Sequence, residues 1–110
     1  MKRFSIVLFA AVFAAIGLSS CGNKSLKGTS WKSEVMGKDQ VVFNFTSESE
    51  CEEVFYWNGK EDGTLKGTYT YNYPNVTIDC GFDATFTGFV DGNKMTLTHE
   101  DGVIIVLTKQ

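Results

Sequence analysis

Beyond Lys27, apolar and polar residues alternate with a period of two, and the alternation breaks at short clusters of Gly, Asn and Asp. This is the pattern of half-buried antiparallel strands joined by tight turns. It predicts eight strands, over residues 29–36, 40–47, 51–57, 64–73, 75–80, 83–90, 94–100 and 103–109. In the fourth, Leu65, Gly67, Tyr69, Tyr71 and Tyr73 face one way, and Thr64, Lys66, Thr68, Thr70 and Asn72 face the other. Val41, Phe43 and Phe45 mark one face of the second strand, Val76, Ile78 and Cys80 of the fifth, and Met95 and Leu97 of the seventh. Residues 54–57 and 103–107 are apolar on both faces, so their outer side calls for cover by a partner, the preceding tether or a neighbouring molecule. Asp91-Gly92-Asn93 and Asp101-Gly102 are hairpin signals, because Asp and Gly tolerate the positive φ of tight hairpins. Residues 58–63 read as a longer loop, and Pro74 as the turn that closes the fourth strand. No helical period of ten or more residues follows Lys27, which excludes βαβ folds. The expected fold is all-β: a small eight-stranded antiparallel up-and-down barrel, with an open two-sheet sandwich as the alternative.

The front of the chain follows a different pattern. Met1-Lys2-Arg3 and the apolar run 4–18 have the charged start and short hydrophobic stretch of a secretion signal helix. The run is shorter than the roughly 20 residues that a membrane span needs. Setting residues 1–20 aside leaves 90 of the 110, with eight basic and thirteen acidic side chains and a net charge of about −5. That balance argues against nucleic acid as a partner, since phosphate binding needs a basic stripe. Ninety residues also leave little room for a two-domain enzyme or a dinucleotide fold. Six Phe, four Tyr and two Trp in this part mark a folded domain, not a disordered one.

Leu18-Ser19-Ser20-Cys21 resembles the lipobox of bacterial lipoproteins. The resemblance implies a signal peptide over residues 1–20, diacylglyceryl on the Cys21 sulfur, cleavage before Cys21, and a further acyl chain such as palmitate on its amine. The membrane is then a partner through the lipid anchor at Cys21, because more than one acyl chain anchors stably. Residues 21–27 form the lipidated cysteine and tether, and residues 28–110 the domain. No Asp follows Cys21; by resemblance to known lipoprotein sorting signals this implies the cell envelope and an outer membrane, with the domain facing the periplasm.

Leu26-Lys27-Gly28-Thr29-Ser30-Trp31-Lys32 resembles the Leu-x-Gly-x-Trp opening of lipocalin-like domains, with one residue more between Gly28 and Trp31. Gly67-Thr68-Tyr69-Thr70-Tyr71, Gly88-Phe89-Val90-Asp91-Gly92-Asn93 and Met95-Thr96-Leu97 are similar to that family's strand-turn-strand rhythm. The resemblance covers nearly all of residues 26–109, and the match is to the short lipocalin-like lipoproteins of the Bacteroides group. It implies a barrel whose glycine shapes the first turn and whose tryptophan plugs one end.

The inward aromatic set is the main candidate site. Trp31, Phe43, Phe45, Tyr69, Tyr71 and Phe86, with Met95 and Leu97, either line a calyx for a small hydrophobic ligand or fill the core. Ser33, Gly67, Ala84 and Gly88 are small enough to leave a pocket at their level. The alternative function is a protein-binding, inhibitor or accessory envelope module with a filled barrel, acting through the outer surface at residues 54–57. Cys51 and Cys80 are the thiols left after lipidation, and an exported protein can pair them. Yet the meander expects Cys51 at the start of the third strand and Cys80 at the end of the parallel fifth, at opposite barrel ends, which favours two separate buried thiols. His99, the only histidine, reads as a solvated turn residue. Glu48, Glu50, Glu52 and Glu53 read as a solubilising patch, with a weak Ca²⁺ site as the less favoured reading. No Ser-His-Asp order, phosphate loop or CxxC motif occurs, so neither an enzyme nor a bound metal or cofactor is expected.

Overall fold

The computed structural model describes residues 25–81 and 84–110. The signal run 4–18, the lipidation site Cys21 and Asp83, the expected start of the sixth strand, lie outside the described residues. The strands follow in chain order: β1 (Ser30–Ser33), β2 (Asp39–Phe45), β3 (Glu50–Trp57), β4 (Lys60–Asn72), β5 (Asn75–Asp79), β6 (Thr85–Asp91), β7 (Lys94–His99) and β8 (Ile104–Lys109). Each pairs antiparallel with the next, and β8 returns to β1 through Trp31–Lys109 and Ser33–Leu107, closing the barrel. Closure rules out the open sandwich, which would leave β1 and β8 as bare edges. Among the described residues no helix is long and apolar enough to cross a membrane.

The chain enters the barrel at what we call the near end. Gly28 takes a positive φ of 81° there, and its N–H donates to the Phe45 carbonyl at 2.7 Å. The β2–β3, β4–β5 and β6–β7 turns share this end. The four other turns, β1–β2, β3–β4, β5–β6 and β7–β8, form the far end.

Most strand bounds shift from expectation by a residue or two, and two shift further, each for a local reason. β1 stops at Ser33, not at residue 36, because the Ser33 hydroxyl accepts the Val41 N–H at 3.0 Å in place of a ladder carbonyl. The expected loop 58–63 is instead a two-residue hairpin. Asn58 and Gly59 take φ values of 53° and 81°, the left-handed pair that Asn-Gly turns favour, and β4 begins at Lys60. Asp62 is then the extra residue: Gly63 stands opposite Phe55 and Glu61 opposite Tyr56. That bulge bends the start of β4.

The thirteen-residue β4 also changes partners. Thr68 stands opposite both Glu50 of β3 and Asp79 of β5, so the first half of β4 pairs with β3 and the second half with β5. This stagger is the barrel's shear made visible.

The core lies inside the barrel, where Phe43, Ile78, Met95, Leu97 and Leu107 are fully shielded from solvent. Gly67 and Gly88 leave no free space inside the barrel. A Cβ on Gly88 would overlap the Thr96 carbonyl oxygen of the neighbouring strand, and one on Gly67 would overlap the Asp79 carbonyl oxygen. Ser33 uses its hydroxyl in the sheet, and Ala84 packs against the core. At both glycines the space is taken by backbone. Gly88→Ala therefore costs more than about 3 kcal/mol, at the upper end of overpacking effects, read as a shifted urea midpoint. An unshifted midpoint would show that β6 and β7 are less closely apposed than described.

Candidate functional site

The predicted interior residues are brought together as packing partners. Phe43 meets Phe86 edge-on at 5.4 Å between ring centres, and Phe45 meets Tyr69 at 4.7 Å. The Tyr69 hydroxyl donates to the Ser47 carbonyl at 2.6 Å, so this phenol serves the β2–β3 turn. Burial, with Glu48 nearby, pushes the Tyr69 phenol up to about 12, so it stays a donor throughout the neutral range. Trp31 is buried at the near end, and its ring N–H donates to Thr29 Oγ1 at 2.9 Å. Tyr71, half-buried, packs against the core and touches the exposed Tyr73 ring at 6.4 Å. Met95 and Leu97 are wholly enclosed.

The surface reads differently at the far end. Gly37, with φ of 67°, turns the chain between β1 and β2, and Met36 and Asp39 bridge it with backbone bonds of 2.8 and 3.0 Å. This tight turn holds Val35 and Met36 outward. Along β8 the alternation places Leu107 inside while Ile104 and Val106 project to solvent. Met36 and Ile104 are 53% and 62% exposed, high for side chains of this kind on a small barrel. Between them runs a groove of about 370 Å³ lined by Ser33, Glu34, Met36, Lys94, Ile104 and Val106. A second concavity, about 210 Å³, lies on the other side of Met36 against the β3–β4 ribbon, with Val41, Phe55 and Trp57 in its lining. Phe55 and Trp57 are both exposed there, and Lys38 Nζ lies 5.7 Å from the centre of the Trp57 ring. The two hollows share Met36 and make one apolar surface. Trp31, Phe43, Tyr69, Tyr71, Phe86, Met95 and Leu97 line neither of them.

The acidic cluster divides. Glu48 accepts both contacts of the Ser25 hydroxyl, at 3.0 and 3.1 Å, and so fastens the incoming chain to the β2–β3 turn. Glu52 accepts from the Asn44 amide at 3.1 Å. Glu53 breaks the expectation of a solvated patch. It lies on the inward face of β3, between Phe43 and Leu65 in register, only 4% exposed. Its Oε1 finds no hydrogen-bond partner among the described residues. Burial pushes its carboxyl up to about 7, and the nearby His99 pulls it part of the way back. His99 is itself half-buried, not solvated: its ring stands edge-on to Phe86 at 5.0 Å and Nδ1 lies 2.8 Å from Asp101 Oδ1. Among the described residues no three His, Cys, Asp or Glu side chains converge on a metal position. Compared with protein-family models, with curated proteins and with solved structures, the chain matches none.

Proposed function

We propose that this chain is a lipid-anchored, non-enzymatic binding module of the cell envelope, a lipocalin-like barrel with a filled interior that engages a protein partner through its far end. The observation that carries the reading is the position of Met36. It sits in the far-end β1–β2 turn, opposite to Gly28, where the tether arrives, and joins two hollows, one against the β3–β4 ribbon and one that runs along the outer face of β8 as far as Lys94 and Thr108. An anchor at Cys21 attaches at the near end and leaves the far end directed away from its own membrane. An apolar surface held there meets a protein more readily than the anchoring lipid. Its mixed rim of Glu34, Asp39, Asp62 and Lys94 suits the polar border of a protein contact. The calyx for a small hydrophobic ligand is second to this reading, because the rings that would line it already touch one another.

A photo-reactive residue at Met36 in the full chain, expressed in its own cells, tests the proposal. The expected result is one discrete protein adduct at Met36 and none from the same label at the exposed outer position Thr70. Adducts of equal yield at both positions, or an adduct to lipid alone, would contradict it. Ile104→Asp should cut the Met36 adduct at least tenfold while leaving the unfolding midpoint nearly unchanged, as expected for an exposed site.

A further inference from the structure

Cys51 and Cys80 are neighbours, contrary to the expectation that opposite barrel ends separate them. The stagger of β4 explains the difference: Cys51 stands opposite Gly67, one residue before the point at which β4 passes from β3 to β5. A Cβ on Gly67 would lie 2.8 Å from both the Cα and the Sγ of Cys80. Cys80 thus occupies the space of the missing side chain and reaches past it. Both thiols are buried, and Cys51, across the β3–β4 ladder from Gly67, faces the space into which Cys80 Sγ reaches. Two buried thiols converging on one glycine, from strands that do not pair with each other, are more than packing needs.

We propose that Cys51 and Cys80 form a disulfide that ties β3 to β5 across Gly67, made by exchange with a disulfide-bearing oxidant. The thiolate of one cysteine attacks the oxidant's S–S bond and releases one of its sulfurs as a thiol. The second cysteine then attacks the mixed disulfide and releases the other. The two cysteines are oxidised, the oxidant is reduced to two thiols, and those thiols carry away both protons. Because Cys51 and Cys80 are buried, exchange takes place before the barrel closes or during a local opening at Gly67. The bridge fastens the barrel where its sheet depends on β4 alone to join β3 and β5. In the cell the inference rests on export to an oxidising compartment, the reading that also places the anchor at Cys21.

The full chain is purified, reduced and unfolded, then refolded with oxidised glutathione. It is quenched in acid, alkylated in denaturant and digested with trypsin without reduction. The expected product joins the peptide 39–60 to the peptide 67–94, two hydrogens lighter than their sum, and separates on reduction. Its unfolding midpoint should exceed that of the reduced chain by roughly 10 °C, a difference that disappears in C51S/C80S. Separate alkylation of both cysteines after oxidative refolding would overturn the proposal. For chain isolated from cells, the state of Cys21 in the same digest, lipidated or alkylated, reports on export separately, so the two failures are distinguishable.

Discussion

Replacing Phe43 with Ala should lower the stability of this protein by about 3–5 kcal/mol, the range for removing a buried aromatic ring. Phe43 is wholly enclosed, stands opposite Trp31 and Glu53 in the sheet, and meets Phe86 edge-on at 5.4 Å. Its loss removes the transfer free energy of the ring and leaves a void that the closed sheet can only partly collapse into. Such a void is apolar on most sides, so it should accept benzene, which then raises the midpoint of the variant. The parent protein should show no such rise. Urea unfolding with and without benzene measures both effects. If Phe43→Ala were neutral, Phe43 would line an existing cavity and the barrel would be a calyx after all.

The second large effect is a pH dependence located at Glu53. Its carboxyl is held near 7 in the folded protein, against an ordinary value of 4.5. Between those values the folded state keeps a proton that the unfolded state has released, so stability falls as pH rises through this window. The full loss, roughly 3 kcal/mol, is reached above pH 7. Glu53→Gln keeps the shape and removes the ionisation. It should match the parent near pH 4.5, exceed it by up to that amount near pH 8, and show a flat profile between. His99 of β7, with Cys51 and Cys80, forms the titratable surroundings of Glu53. Parallel profiles for the two proteins would place the titration elsewhere.

These two residues also show what the chain discloses before its structure is seen. Phe43 was readable, because it alternates with Val42 and Asn44 and a period of two fixes the inward face. The same rule gave the other strands and the closed barrel. Glu53 was not readable. It obeys the same alternation, but a carboxylate among four glutamates of one hairpin looks solvated until its neighbours across the strands are known. His99 misled for the same reason, since only the pairing Phe86–His99 shows the ring it rests on. The Asn58-Gly59 turn carried its own signal, yet the charged run Lys60–Asp62 that follows resembles a loop; it is a strand with an exposed flank. The relation of Cys51 to Cys80 needed the shear of the barrel, which no local pattern contains. The apolar outer faces at residues 54–57 and 103–107 were visible, but not that both border Met36.

A barrel with a filled interior that binds through its outer surface at Met36 should take up an apolar probe there and not inside. Methyl and indole NMR of the purified protein, titrated with the apolar dye anilinonaphthalene sulfonate, tests it most directly. Signals of Met36, Ile104, Val106 and Trp57 should move while those of Val76, Ile78, Met95 and Leu97 stay fixed. Movement of Met95 and Leu97 with Ile104 unchanged would contradict it and return the binding site to the barrel interior.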